Sequence, residues 1–147
     1  MNHWRTKRPF SWGHVMLLDR DSANVPQPSG EVVSPSRDGL AVKVLHAQDV
    51  DLDGYDGDEI VPPAEVQVDI FIGDAAPGRV VFTGSIDLPS GVLTVGDAER
   101  EDVLEIGAGR WAVQVDCQPT EYAELVRVWL RPGLTDTAVE LLAAGGT

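Results

Sequence analysis

Four residues in the middle of the chain have the types and spacing to hold a cation: Asp49, Asp51, Asp53 and Gly54. They form D-x-D-x-D-G, the opening of an EF-hand loop, where alternate carboxylates present oxygens to calcium and the glycine allows a sharp turn. The pattern then breaks. Ile60 stands at the twelfth position, where the bidentate Glu belongs, and Asp56 follows Tyr55 where an apolar residue is expected. Strands, not helices, are expected on both sides. The stretch Asp49 to Glu59 therefore reads as an acidic loop joining two strands, and no metal or cofactor is assigned to it. A calcium- or small-ligand-binding β-module using this loop is the alternative function.

Other candidate chemistry fails on context. Gly107-Ala108-Gly109-Arg110-Trp111-Ala112 matches the G-x-G-x-x-A of dinucleotide-binding folds, but those glycines must open a helix, and here they precede a period-two strand. They read as a hairpin turn. His3, His14 and His46 show no ligand spacing with one another or with Cys117, although His14 and His46 sit where two neighbouring strands would bring them near each other. No G-x-S-x-G elbow and no Ser-His-Asp or Cys-His arrangement is present. The expectation is a protein that is not an enzyme. Trp129, predicted to face outward beside Arg127 and Arg131, has the composition of a binding hot spot, the alternative being that it packs under the C-terminal tail. The expected partner contacts are thus Asp49, Asp51, Asp53, Asp56, Asp58, Glu59 and Trp129.

These residues must be carried by strands. Arg110 to Cys117 alternates cleanly, with Trp111, Val113, Val115 and Cys117 on the apolar face. Similar alternation predicts strands over His14 to Asp19, Leu40 to Leu45, Glu65 to Ile72, Val80 to Ser85, Val92 to Val95, Val103 to Ile106 and Leu125 to Leu130. Gly84 is read as a bulge marker. Turn signals separate the strands at Pro89-Ser90-Gly91, Gly96-Asp97 and Gly107 to Gly109. The segment from Ser22 to Asp38 holds Pro26, Pro28 and Pro35 and reads as a polar loop. Short strands broken by Gly and Pro turns predict an all-β fold: a single-domain antiparallel β-sandwich of about eight strands. Residues 1–9 read as a flexible basic arm, 10–133 as the sandwich, and 134–147 as a short tail. Within that tail, Thr137 to Ala144 has the capping-box spacing for one or two helical turns. Trp4 and Trp12, flanking the arm, read as a sticky terminus or a clasp over the sandwich edge.

Charge narrows the partners. Against 24 Asp and Glu stand 11 Lys and Arg, a net charge of −13 over 147 residues. Such a field repels phosphate backbones, which argues against direct nucleic-acid binding, and it speeds encounter with a basic protein. Cys117, the only cysteine, falls on the apolar face of its strand and reads as a small buried hydrophobe. No apolar run is long enough to span a membrane, and Val15 to Leu18 is too short for a signal-peptide core, so a cytoplasmic location is expected.

The order of these features resembles the ComJ-type inhibitors of the bacterial competence nuclease. The similar segments are His14-Val-Met-Leu-Leu-Asp-Arg-Asp-Ser22, Asp38-Gly-Leu-Ala-Val42, and Ile86 to Val115. The last runs strand, Ser-Gly turn, strand, acidic turn, strand, glycine turn, then Arg-Trp-Ala-Val-Gln-Val. The resemblance spans most of Phe10 to Leu130 and rests on patterning and turns. It implies a small β-sandwich that binds and silences a nuclease, as an inhibitor or immunity-like protein. It implies no catalytic residues.

Overall fold

The computed structural model describes residues 2–10, 12–46, 63–97 and 100–133. Among them are ten strands and no helix: β1 (Asn2–Arg8), β2 (His14–Asp19), β3 (Val33–Ser36), β4 (Gly39–Lys43), β5 (Val66–Ile72), β6 (Phe82–Leu88), β7 (Val92–Gly96), β8 (Glu101–Glu105), β9 (Gly109–Gln118) and β10 (Leu125–Pro132). They form two five-stranded sheets, ordered β1-β5-β10-β9-β6 and β3-β4-β2-β7-β8. The alternating apolar residues of β2, β4, β5, β7, β9 and β10 turn inward. Val15, Leu17, Leu40, Val42, Val68, Ile70, Leu93, Val95, Val113, Val115, Val128 and Leu130 are all inaccessible to solvent. This is the all-β sandwich expected, with two additional strands. No helix of the described chain is long and apolar enough to cross a membrane.

Several expectations are corrected. The basic arm is an edge strand: β1 pairs with β5 over seven residues, from Asn2 opposite Ile72 to Arg8 opposite Val66. Its basic residues hid a period-two pattern in which His3, Arg5 and Lys7 face out while Trp4 packs on the core. Ion pairs hold both ends of it. Asp69 accepts from His3 Nε2 (3.0 Å) and Arg5 Nε (2.5 Å). At the far end Arg8 is buried over the Phe10 ring, 4.4 Å from its centroid. Arg8 Nη2 donates to the Arg100 carbonyl at 3.1 Å, and the guanidinium lies 3.8 Å from Asp97 and 4.0 Å from Asp102. The polar loop contains β3, with Pro35 on a sheet edge, where a missing N–H costs no ladder bond. The sandwich is not wholly antiparallel, since β10 runs parallel to β5. Gly84 makes no bulge: it pairs in register with Val113, and the Phe82 ring fills the space above it.

The glycines at 107 and 109 do not make a hairpin either. Strands β6 and β9 pair in the first sheet and β7 and β8 in the second, and the register carries through unbroken. Leu88 lies opposite Gly109, and Val92, four residues on, lies opposite Glu105, four residues back. One long ribbon therefore folds over the sandwich edge, bending at Pro89-Ser90-Gly91 on one arm and Ile106 to Ala108 on the other. Gly91 (φ +75°) sits at the crease, where a Cβ would come within 2.8 Å of the Ala108 nitrogen. Its carbonyl accepts from both Ile106 and Gly107 at 3.0 Å.

Candidate functional site

The outer face of the first sheet is built from cross-strand rows. One row alternates charge: Arg5, Asp69, Arg127 and Asp116 lie on β1, β5, β10 and β9 in register, with Arg127 donating to Asp116 at 2.7 Å. The next row is aromatic. His3 stacks on Phe71 (centroids 4.5 Å) and Phe71 on Trp129 (5.4 Å). Trp129 lies on the outward face as expected, but it is only 6% exposed and so is not an exposed hot spot. Its neighbours on β5 and β1 are out of reach of any local sequence pattern. Beside it, Gln114 accepts from the Ala76 amide at 2.9 Å, which pins the β5–β6 connection to this face.

The short acidic motifs around Asp19 and Asp38 also serve the fold. Asp19, at the end of β2, is buried. One oxygen accepts from the amide (3.1 Å) and hydroxyl (2.6 Å) of Ser90 at the ribbon's crease, the other from the Asp21 amide. Asp38, also buried, accepts from the Ser22 hydroxyl at 2.7 Å and the Ala23 amide at 3.3 Å. Burial works to raise the Asp38 carboxyl, yet these hydrogen bonds outweigh it and hold the group below the usual carboxylate range. Next to them opens a cleft of about 530 Å³ lined by Asp21, Arg37, Asp38, Asp87 and Arg110. Both of its cations pair with Asp87, Arg37 at 3.2 Å and Arg110 at 3.8 Å.

A second cleft, of about 420 Å³, has a different lining: Trp12, Gly13, His14, Lys43, Val44, His46 and Tyr122. Here His14 and His46 do share a surface. A hydrogen bond from Gly13 N to the Phe10 carbonyl closes the turn that carries Trp12. On the same cleft, the β9–β10 connection is clamped by Leu45, just past β4, and by β5 and β9. Leu45 N donates to the Ala123 carbonyl, Gln67 N to the Glu124 carbonyl, and Glu124 N to the Gln118 carbonyl. The clamp holds Tyr122 at φ 55°, a conformation that residues other than Gly, Asn and Asp seldom adopt. Lys43 Nζ lies 4.8 Å from the Tyr122 ring centroid and 3.5 Å from Glu121 Oε2. Trp12 is 63% exposed and Tyr122 54% exposed. No local pattern marks Tyr122; Trp12 is expected as a sticky terminus or a clasp, and its exposure fits the first of these.

Asp49, Asp51, Asp53, Asp56, Asp58 and Glu59 lie outside the described residues, as does Thr137 to Ala144. Among the described residues no group of three or more His, Cys, Asp or Glu is placed to hold a metal ion. Cys117 is buried on the inner face of β9. Burial, assisted by the Asp116 charge, pushes its thiol up to about 12.

Fold and surface together define a two-sheet β-sandwich whose outer features are rows of paired charge and one aromatic cleft. Two solved structures share that fold. The crystal structure of ComJ from Bacillus subtilis, inhibitor of the DNA-degrading activity of NucA, matches 90% of this chain and 98% of its own, with a TM-score of 0.56 and 6% identity. A structure described as crocagin biosynthetic gene J matches 91% of this chain and 100% of its own, with a TM-score of 0.55 and 15% identity. At these identities the likeness is one of fold. No protein-family model and no curated protein matches the sequence.

Proposed function

We propose that this protein binds a basic nuclease and blocks its access to DNA, as an inhibitor or immunity-like partner, without itself cleaving or binding DNA. The observation that carries this reading is the fold shared almost end to end with ComJ, itself an inhibitor of a nuclease's DNA-degrading activity. The net charge of −13 supports it, because nucleases keep basic clefts for phosphates and carboxylates on a rigid scaffold complement such clefts. Residues 47–62 carry six carboxylates and no Lys or Arg. In sequence they follow directly on His46, which lines the Trp12–Tyr122 cleft. We assign the first electrostatic encounter to Asp49, Asp51, Asp53, Asp56, Asp58 and Glu59.

The test is nuclease activity of the products of adjacent genes with this protein added at equal molar amounts. Loss of cleavage together with a complex on gel filtration is expected; undiminished cleavage by every candidate, with no complex, refutes the proposal. Changing Asp51, Asp53, Asp56 and Asp58 to Asn should lower the association rate about tenfold at low salt and flatten its salt dependence. Calcium should leave the Tm unmoved. Micromolar calcium affinity abolished by Asp51→Asn with Asp53→Asn would instead favour the ligand-binding module.

A further inference from the structure

Among the described residues, Trp12 and Tyr122 are the only exposed Trp, Tyr or Phe side chains, and they line the same cleft. Resting on the inhibitor reading above, we propose that this cleft is the anchor of the partner interface and that it takes an arginine or lysine side chain presented by the basic partner.

Three features carry the assignment. The first is cost. Two large rings more than half in water add little to the fold, the Lys43 contact at Tyr122 apart, whereas Trp and Tyr are the residues that dominate binding energy when a partner covers them. The second is the backbone at Tyr122. A positive φ suits Gly or Asn, so the fold tolerates strain to keep a ring there. Because the next two residues, Ala123 and Glu124, are hydrogen-bonded to Leu45, Gln67 and Gln118, the backbone that carries the ring is held in place and loses little freedom on binding. The third is chemistry already visible in the chain. Lys43 lies between the Tyr122 ring and the Glu121 carboxylate, the arrangement that receives a cation. Trp12, whose indole has the stronger π-face, stands open across the cleft.

Charge selects the sign of the occupant. Glu121 and Glu124 are exposed on the same connection as Tyr122, and Glu65 is exposed just before β5. Lys43 is half-buried and already paired with Glu121. An incoming guanidinium would stack on Trp12 and meet the exposed carboxylates of the β9–β10 connection.

The experiment is an NMR titration of the full-length labelled protein at physiological salt with a capped tetra-arginine peptide, and separately with tetra-glutamate. The arginine peptide should move the Trp12 indole N–H and the Tyr122 ring signals saturably. Trp12→Ala and Tyr122→Asn should each weaken that binding by about fivefold or more. Shifts confined to residues 47–62, with Trp12 and Tyr122 unmoved, would overturn the proposal, as would tetra-glutamate occupying the cleft instead. Both substitutions should leave the Tm unchanged or, for Tyr122→Asn, raised. Against a nuclease that the wild-type protein silences, each should raise the half-inhibitory concentration about tenfold or more. Full inhibition by both variants removes the cleft from the interface and leaves the inhibitor reading standing. Arginine peptide seated in the cleft with no nuclease inhibited does the reverse.

Discussion

Replacing Asp69 by Ala removes the carboxylate from which β1 hangs. Asp69 is buried on β5 and accepts from His3 Nε2 at 3.0 Å, Arg5 Nε at 2.5 Å and Gln67 Nε2 at 2.9 Å. Its surroundings oppose one another. Burial raises the carboxyl, while the hydrogen bonds from Arg5, Gln67 and His3 and the Arg5 charge together hold it below the usual range. The magnitude follows from who is left stranded. Arg5 and His3 are about half exposed and can return to water, so each contributes about 0.5–1 kcal/mol. The bond from half-buried Gln67 adds about 1 kcal/mol. Asp69→Ala should therefore cost about 2–3 kcal/mol in urea unfolding at pH 7, and Asp69→Asn, which keeps one acceptor, about half of that. The pH dependence has a definite sign. A carboxyl whose folded pKa is depressed stabilises above its unfolded value of about 3.9, and that stabilisation is lost as pH falls through the folded value. The difference between wild type and Asp69→Asn should thus be full at pH 7 and shrink below about pH 4. Amide exchange should show β1 protected in the wild type and opening first in the variant, exposing the β5 edge. A loss under about 0.5 kcal/mol, or β1 amides exchanging at solvent rates in the wild type, would refute the tethered strand and restore a mobile arm.

Other consequences can be checked directly. Trp111→Ala removes a core ring whose indole N–H donates to the Gly107 carbonyl at 2.9 Å, and should cost about 3–5 kcal/mol by urea unfolding. Cys117, with its thiol pushed up to about 12, should resist thiol reagents at pH 8 in the native protein and react at once when unfolded. Gly91→Ala places a Cβ against the Ala108 backbone at positive φ and should cost about 1–3 kcal/mol, read as a lowered Tm.

How much of this was legible depends on what each element is made of. The strand over His14 to Asp19 has the bounds its alternation predicts, and β4, β5, β9 and β10 differ only at their ends, because hydrophobic period two survives in their sequences. Strands β1 and β3 were hidden by composition: basic residues at one, prolines at the other, both tolerated because these are edge strands. The glycines at 107 to 109 signalled a turn correctly, but a hairpin and a fold-over between sheets have the same local glycine chemistry. What separates them is that β8 pairs with β7 while β9 pairs with β6 and β10, a long-range fact. Trp129 has the face its alternation predicts, but whether it is exposed or covered was open in the sequence, since Phe71, stacked on it, comes from another strand. Tyr122 carried no signal at all, because nothing in Pro119-Thr120-Glu121-Tyr122 announces a left-handed backbone at a tyrosine.

The same divide applies to the acidity that first suggested a basic partner. Net charge treats every carboxylate alike, yet Asp19, Asp38, Asp69 and Asp97 are buried and tie β2 to the ribbon's crease, the β3–β4 turn to the loop after β2, and β1 to β5 and to the end of β7. Carboxylates with buried hydrogen bonds, Asp97 among them through the Arg100 amide at 3.1 Å, cannot lead an encounter, because neutralising them removes bonds before it removes surface field. Substitution should therefore sort the acidic residues into two sets. Asp19→Asn and Asp69→Asn should lower the Tm, with any change in association following from lost fold. The four-fold change at Asp51, Asp53, Asp56 and Asp58 should lower the association rate with the Tm unmoved. If that four-fold variant instead unfolds the protein, the acidic segment is a pin like the others, and the field that draws a basic partner must come from elsewhere on the surface.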